Sequence, residues 1–128
     1  MKPEIISTQN AFKTDFPLSQ AVKFANLVFC SGQIGINPKT GVLAEGVEKQ
    51  VEQVLENLRA VLTAAHSGFD KVLKSTVFLV RQSDVPTLNA VYRRYFSTAP
   101  PARSCIIVQA LPRAGVEVEI EMIAYTDG

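Results

Sequence analysis

The 128-residue chain has little of what metal centres and disulfide scaffolds are made from. It contains one histidine and two cysteines, and Cys30 and Cys105 lie far apart. A structural zinc site takes four such ligands, so we expect no metal site. Each cysteine lies in an apolar run typical of a strand. This favours two reduced, buried thiols over a disulfide or a reactive nucleophile.

The sequence also lacks an excess of charge and any long apolar run. Its 13 basic and 12 acidic residues give a net charge of +1. A nearly neutral chain gives little reason to expect nucleic acid or an anionic membrane as a partner. No run approaches the ~18 apolar residues of a membrane span, and "MKPEIISTQN" lacks the apolar core of a signal peptide. We therefore expect a soluble cytoplasmic protein.

Composition indicates a single globular domain over residues 1–128. Apolar residues make up 47% of the chain and charged residues 20%, which is ordinary for a protein with a buried core. No repeat, low-complexity segment or linker marks a domain boundary.

Two stretches have the apolar period of amphipathic helices: "GVEKQVEQVLENLRAVLTAAH" and "SDVPTLNAVYRRYF". We expect the first to stop at Gly68, with His66 in its last turn, where a charged imidazole suits the helix dipole. For the second, Asp84 is the expected N-cap, and Pro86 is tolerated in the first turn.

The remaining apolar runs predict strands. "EIIS" is a short first strand, and "AVKFANLVFCSG" is a hairpin that turns at Ala25 and Asn26. Three further strands are "KVLKSTVFLV", "RSCIIVQ" and "VEVEIEMIAY". The order is β-β-β-α-β-α-β-β. Because both helices need a sheet face to cover their apolar stripes, we expect a two-layer α+β sandwich.

One face of that sheet would remain uncovered in a monomer. Along the last strand, Glu117, Glu119 and Glu121 alternate with apolar residues, but "LVFC" and "CIIV" are apolar on both faces. Because such a surface is too apolar to face water, we expect other copies of the chain to cover it. The crevices between copies would then suit a ligand.

A permanent cation lies at the start of one strand. Arg103, in "PPARSC", cannot lose its charge and therefore needs an anion. Glu119 could supply it if the last two strands paired antiparallel. Alternatively, Arg103 clamps a ligand carboxylate through two parallel hydrogen bonds, and Glu119 holds or deprotonates a water. The pattern alone leaves both possibilities open.

Several separated blocks resemble the YjgF/RidA family of imine deaminases. They are "SGQIGINPKTG", "NAVYRRYF", "PARSC" followed by "ALP", and "VEIEMIA". The resemblance extends over essentially the whole chain. It implies a chorismate-mutase-like fold, a homotrimer and sites in clefts between subunits. Members hydrolyse reactive 2-imino acids to 2-keto acids and ammonia, without a metal or cofactor.

The resemblance also implies roles for particular residues. Arg103 matches the arginine that grips the substrate carboxylate, and Glu119 matches the glutamate that positions the attacking water. Four further residues match positions that line the site or lie near it: Ser31 and Gly32 from a neighbouring subunit, the backbone of Cys105, and Asn89.

One residue departs from the family pattern. Archetypal deaminases carry Gly-Pro-Tyr-x-Gln, with the tyrosine hydroxyl near the reacting centre, whereas this chain reads "FPLSQ" at residues 16–20. Leu18 cannot form that hydrogen bond, so we expect a more apolar pocket. Lower activity on small imines, or a preference for bulkier ones, follows.

Two other functions stay open. The missing tyrosine favours a non-catalytic trimer that binds a keto acid as a sensor or regulator. Some family members are also labelled endoribonucleases or translation inhibitors. In this chain, only the Arg93–Arg94 pair favours RNA binding, and it does so weakly. The nearly neutral charge and the single histidine weigh against an endoribonuclease.

Overall fold

The computed structural model describes all 128 residues, and the order of its elements is the predicted one. The elements are β1 Glu4–Ile6, β2 Ala21–Phe24, β3 Leu27–Gln33, α1 Val47–Ala64, β4 Val72–Leu79, α2 Val85–Tyr95, β5 Ala102–Ile107 and β6 Val118–Tyr125. Short 3₁₀ turns precede β4 and α2. Neither helix is long and apolar enough to cross a membrane.

The six strands form one mixed sheet in the order β1-β2-β3-β6-β4-β5. Only β4 and β5 pair in parallel, because α2 crosses over between them. The last strand, β6, pairs with both β3 and β4. The expected antiparallel pairing of the last two strands is therefore wrong, since β4 lies between them.

Both helices cover one face of this sheet, as predicted. The buried stripe of α1 includes Val51, Leu55, Leu58 and Leu62, all fully buried. On β6, alternate residues meet that stripe: Val118, Ile120, Met122 and Ala124. The intervening residues, Glu119 among them, face the other side.

The helix ends differ from the prediction. The first helix stops at Ala64, and His66 takes a left-handed conformation with φ of 62°. The His66 and Ser67 N–H groups donate to the Thr63 and Leu62 carbonyls, which is a Schellman motif. Gly68 is extended, so it is not the stop.

At α2, Asp84 occupies the position before the first helical residue, as predicted, but its side chain caps no backbone N–H. Its carboxylate instead pairs with Arg81 at 3.0 Å.

The second face of the sheet carries exposed apolar side chains within one chain. Phe29 is 45% exposed and Ile106 is 44% exposed. Because β5 is an edge strand, the neighbouring Ile107 is also exposed, and so is Cys105. Two free thiols were expected to be buried, but this holds only for Cys30, whose pKa is raised by burial to about 12.

Candidate active site

A cleft of about 280 Å³ opens beside β3 and contains four of the residues predicted for the site. Leu18 comes from the segment before β2, Ser31 and Gly32 from β3, and Glu119 from β6. Other apolar and aromatic residues that line it include Ile5, Phe12, Phe16 and Ile34. We call this space the Glu119 cleft.

An irregularity in β3 brings Ser31 and Gly32 to this cleft. The pairing of β3 with β6 shifts register between Cys30 and Gln33, so the two intervening residues leave the regular ladder. The Ser31 hydroxyl donates to the Ser19 carbonyl at 2.6 Å. A Cβ at position 32 would overlap the Glu119 carboxylate, so a larger residue there would force the Glu119 side chain to move.

Gln20 ties the N-terminal segment to the wall of the cleft. Its buried side chain donates to the carbonyls of Thr8 and Phe12, each at 3.1 Å, and accepts from the Thr8 N–H at 2.7 Å. These bonds hold in place the segment that carries Leu18. The sequence analysis assigned no role to Gln20, the last residue of "FPLSQ". A sequence does not show whether a polar residue in a loop is buried.

Glu119 is a half-buried carboxylate that forms no ion pair within the chain. Desolvation by burial raises its pKa above the usual glutamate value, and the charge of Glu121 raises it further. Seven ion pairs form in the chain, and none of them includes Glu119. A carboxyl with a raised pKa is a stronger base once ionised, which suits proton transfer from water.

Arg103 lies in different surroundings. Its terminal nitrogen donates to Asn89 Oδ1 at 2.8 Å, and its guanidinium carbon lies 4.9 Å from the centre of the Tyr92 ring. It forms no ion pair, so the internal pair with Glu119 considered from the sequence does not exist within the chain. The apolar period of α2 places Tyr92 on the buried stripe and gives no sign of this contact.

The sheet separates Arg103 from the Glu119 cleft. Arg103 reaches residues of α2, on the helical side, whereas Glu119 alternates with core residues and faces the opposite side. Strand β4 lies between them. We call Arg103, Asn89 and Cys105 the Arg103 half-site, because none of them lines the cleft. One chain therefore brings together Leu18, Ser31, Gly32 and Glu119, but not the whole predicted site. Ser31 and Gly32, which were expected to come from a neighbouring subunit, here lie beside Glu119 of their own chain.

Comparisons with known proteins match nearly the whole chain. The model of the family described as Endoribonuclease L-PSP matches residues 8–126. Over 125 residues the chain is 43% identical to the chloroplastic Reactive Intermediate Deaminase A of Arabidopsis thaliana, covering 97% of this chain and 66% of that protein.

Solved structures have the same fold. RidA from an Antarctic Psychrobacter superposes with a TM-score of 0.92 at 43% identity, covering 95% of this chain and 98% of that one. E. coli TdcF, crystallised with bound serine, has a TM-score of 0.92 at 38% identity, covering 97% and 99%. The chain therefore belongs to the RidA/YjgF family, as its sequence blocks indicate, and has that family's α+β fold.

Proposed function

We propose that the protein is an imine deaminase whose site forms where two copies of the chain meet. The observation that carries this proposal is the isolation of two opposite charges. Arg103 forms no ion pair, Glu119 forms none although Lys13 and Arg113 also line its cleft, and the sheet keeps Arg103 and Glu119 apart. In a homotrimer, the Arg103 half-site of one subunit would meet the Glu119 cleft of the next.

The exposed sheet face supports this assembly. Phe29 and Ile106 lie on the side of the sheet that the helices leave uncovered. Burying such side chains stabilises an interface by roughly 25 cal/mol per Å² of apolar surface. A subunit seam at this face would also exclude water from the cleft, which strengthens the attraction between Arg103 and an anion.

The proposed reaction converts a 2-imino acid and water into a 2-keto acid and ammonia. Arg103 binds the substrate carboxylate, so that C2 of the nitrogen-protonated imine faces a water held by Glu119. As the water oxygen bonds to C2, Glu119 accepts a proton from it. Transfer of that proton to the nitrogen lets the C–N bond break, and loss of the hydroxyl proton forms the ketone.

Two relatives support this substrate class. The Arabidopsis relative is named a reactive intermediate deaminase, and TdcF was crystallised with serine, a small molecule with a carboxylate beside a carbon–nitrogen bond. Orientation and one acid–base group suffice for a reactive imine, because the uncatalysed hydrolysis is already quick.

A complementation experiment tests whether the site spans two copies. Arg103→Ala and Glu119→Ala are each expected to be inactive when an amino-acid oxidase supplies imines and semicarbazide traps the unhydrolysed fraction. After joint unfolding and refolding, a 1:1 mixture should recover about a quarter of the wild-type activity, since that fraction of seams joins an intact Arg103 to an intact Glu119.

The matched control mixes Arg103→Ala with Arg103→Lys. Every seam then lacks the arginine, and a lysine point charge cannot reproduce its planar fork, so no activity should return. If the first mixture also stays inactive although the subunits co-assemble, the composite site is wrong.

Measurements of ligand binding and RNA binding separate the two other candidate functions. Leu18 in place of the family tyrosine favours a keto-acid sensor, and tight binding of 2-ketobutanoate by the wild type without turnover would establish that function. For an endoribonuclease, the single histidine offers no support, because His66 is exposed at the end of α1 and does not line the cleft. Salt-dependent RNA binding would nonetheless favour it.

A further inference from the structure

A buried pair of hydroxyl groups lies behind Arg103. Tyr92 Oη and Ser75 Oγ form a hydrogen bond of 2.6 Å, and both residues are buried. Ser75 lies on β4 in direct register with Arg103 on β5. The hydrogen bond therefore anchors the Tyr92 ring to the strand beside the one that carries the arginine.

The ring and a neighbouring amide hold the guanidinium from two sides. The ring centre lies 4.9 Å from Arg103 Cζ, within the range of a cation–π contact. Asn89 precedes Tyr92 by three residues on α2 and so shares its helix face. Its Oδ1 accepts a hydrogen bond from one N–H of Arg103, which leaves the other N–H groups of the guanidinium free to bind a ligand.

We propose that Tyr92 and Ser75 are positioning residues that fix the tilt of the Arg103 guanidinium for binding a carboxylate. The inference rests on the proposed function. A guanidinium held against an anchored ring has already lost the rotamer freedom that binding would otherwise remove. Without the Ser75 bond, the ring could shift and carry the arginine plane with it.

The surroundings of Tyr92 are consistent with this role. Burial raises the pKa of its phenol, although the hydrogen bond from Ser75 and the charge of Arg103 oppose the rise. The phenol therefore stays protonated at neutral pH and keeps its bond to Ser75. The ring thus presents a neutral aromatic face to the arginine, and this is the surface that a cation–π contact requires.

The test compares two ligands of nearly equal size, one with a carboxylate and the other with a neutral amide in its place. Binding of 2-ketobutanoate and of 2-oxobutanamide, its uncharged analogue, is measured by calorimetry for Tyr92→Phe, Ser75→Ala and the double variant. We expect each single variant to bind the keto acid about tenfold more weakly, because a small displacement of the Arg103 guanidinium weakens its hydrogen bonds to the carboxylate. Each should bind the amide as the wild type does. The double variant should be no worse than either single one.

Tyr95→Phe is the matched control. It removes a tyrosine hydroxyl from the next position on the same helix face, where the partner is Glu56 at 2.9 Å rather than Ser75. Its preference for the keto acid over the amide should equal that of the wild type. If Tyr92→Phe and Ser75→Ala also keep that preference, or lose both ligands equally, the inference is overturned.

Arg103→Ala distinguishes this inference from the proposed function. If it leaves keto-acid binding unchanged, the proposed clamp itself is wrong. If it abolishes the preference for the carboxylate and Tyr92→Phe does not, only the positioning role is wrong. Should a single variant fail to assemble, the double variant supplies the comparison, because it leaves neither hydroxyl buried without a partner.

Discussion

At the scale of single residues, Leu18 decides the character of the candidate site. Leu18 is 52% exposed in the isolated chain and lines the Glu119 cleft together with Phe16. Gln20 holds the surrounding segment through the Thr8 and Phe12 backbone. The wall is therefore apolar at a fixed place, where the family's archetypes have a hydroxyl group.

Restoring that hydroxyl should raise activity on small imines. We expect Leu18→Tyr to increase kcat/KM for 2-iminopropanoate by about tenfold or more, in line with a group that assists proton transfer. Phe16→Tyr places a hydroxyl two residues away and should give a smaller gain. An unchanged rate in a Leu18→Tyr variant that folds and assembles normally would contradict this account of the pocket.

At the scale of elements, two chain reversals place non-glycine residues in left-handed backbone. Ala25 has φ of 54° in the hairpin between β2 and β3, and His66 has φ of 62° after α1. Both conformations crowd Cβ against the backbone, at a cost of roughly 1–2 kcal/mol for each residue. The hydrogen bonds of the hairpin and of the Schellman motif offset this cost.

Replacing His66 with glycine should stabilise the end of α1. We expect His66→Gly to raise the free energy of unfolding by about 1 kcal/mol, because glycine adopts positive φ without the Cβ clash. The control is Ala64→Gly, two residues earlier in the helix, which should lower stability by about 1 kcal/mol. Urea unfolding at one protein concentration measures the free energy of unfolding of both variants. A loss of stability in both would show that the backbone at His66 is not strained.

At the scale of the whole molecule, the proposed assembly would bring two opposite charges together. Within one chain, burial and Glu121 raise the pKa of Glu119, and no cation opposes the rise. In the proposed assembly, Arg103 of the next subunit would favour the carboxylate and lower that pKa. The proposed mechanism needs Glu119 ionised, so activity should fall as the pH drops through the pKa of Glu119.

The pKa of Glu119 therefore reports on the seam between subunits. We expect Arg103→Ala to raise it in the assembled protein, because the ionised carboxylate loses its cation. Carbon-13 NMR of labelled glutamates follows the titration, with Glu119→Gln to assign the signal. Arg94→Ala removes a cation that pairs with Glu52 on the helices and should leave the titration unchanged. An identical pKa in Arg103→Ala and the wild type would argue against the composite site.

Local patterns in the sequence determined which elements form and which side of each is apolar. The period of α1 and the alternation of Val118, Ile120 and Met122 along β6 predicted the core correctly, because burial repeats with the geometry of the backbone. The separated motif blocks likewise identified the family.

Only the tertiary structure decided how distant strands combine. The crossover through α2 sets β5 parallel to β4, and β6 enters between β3 and β4. Arg103 and Glu119 are therefore placed on opposite sides of the sheet, although their strands follow one another in sequence. Local periodicity encodes the faces of a strand but not its neighbours, because strand pairing depends on how the complete set of elements buries its apolar surface.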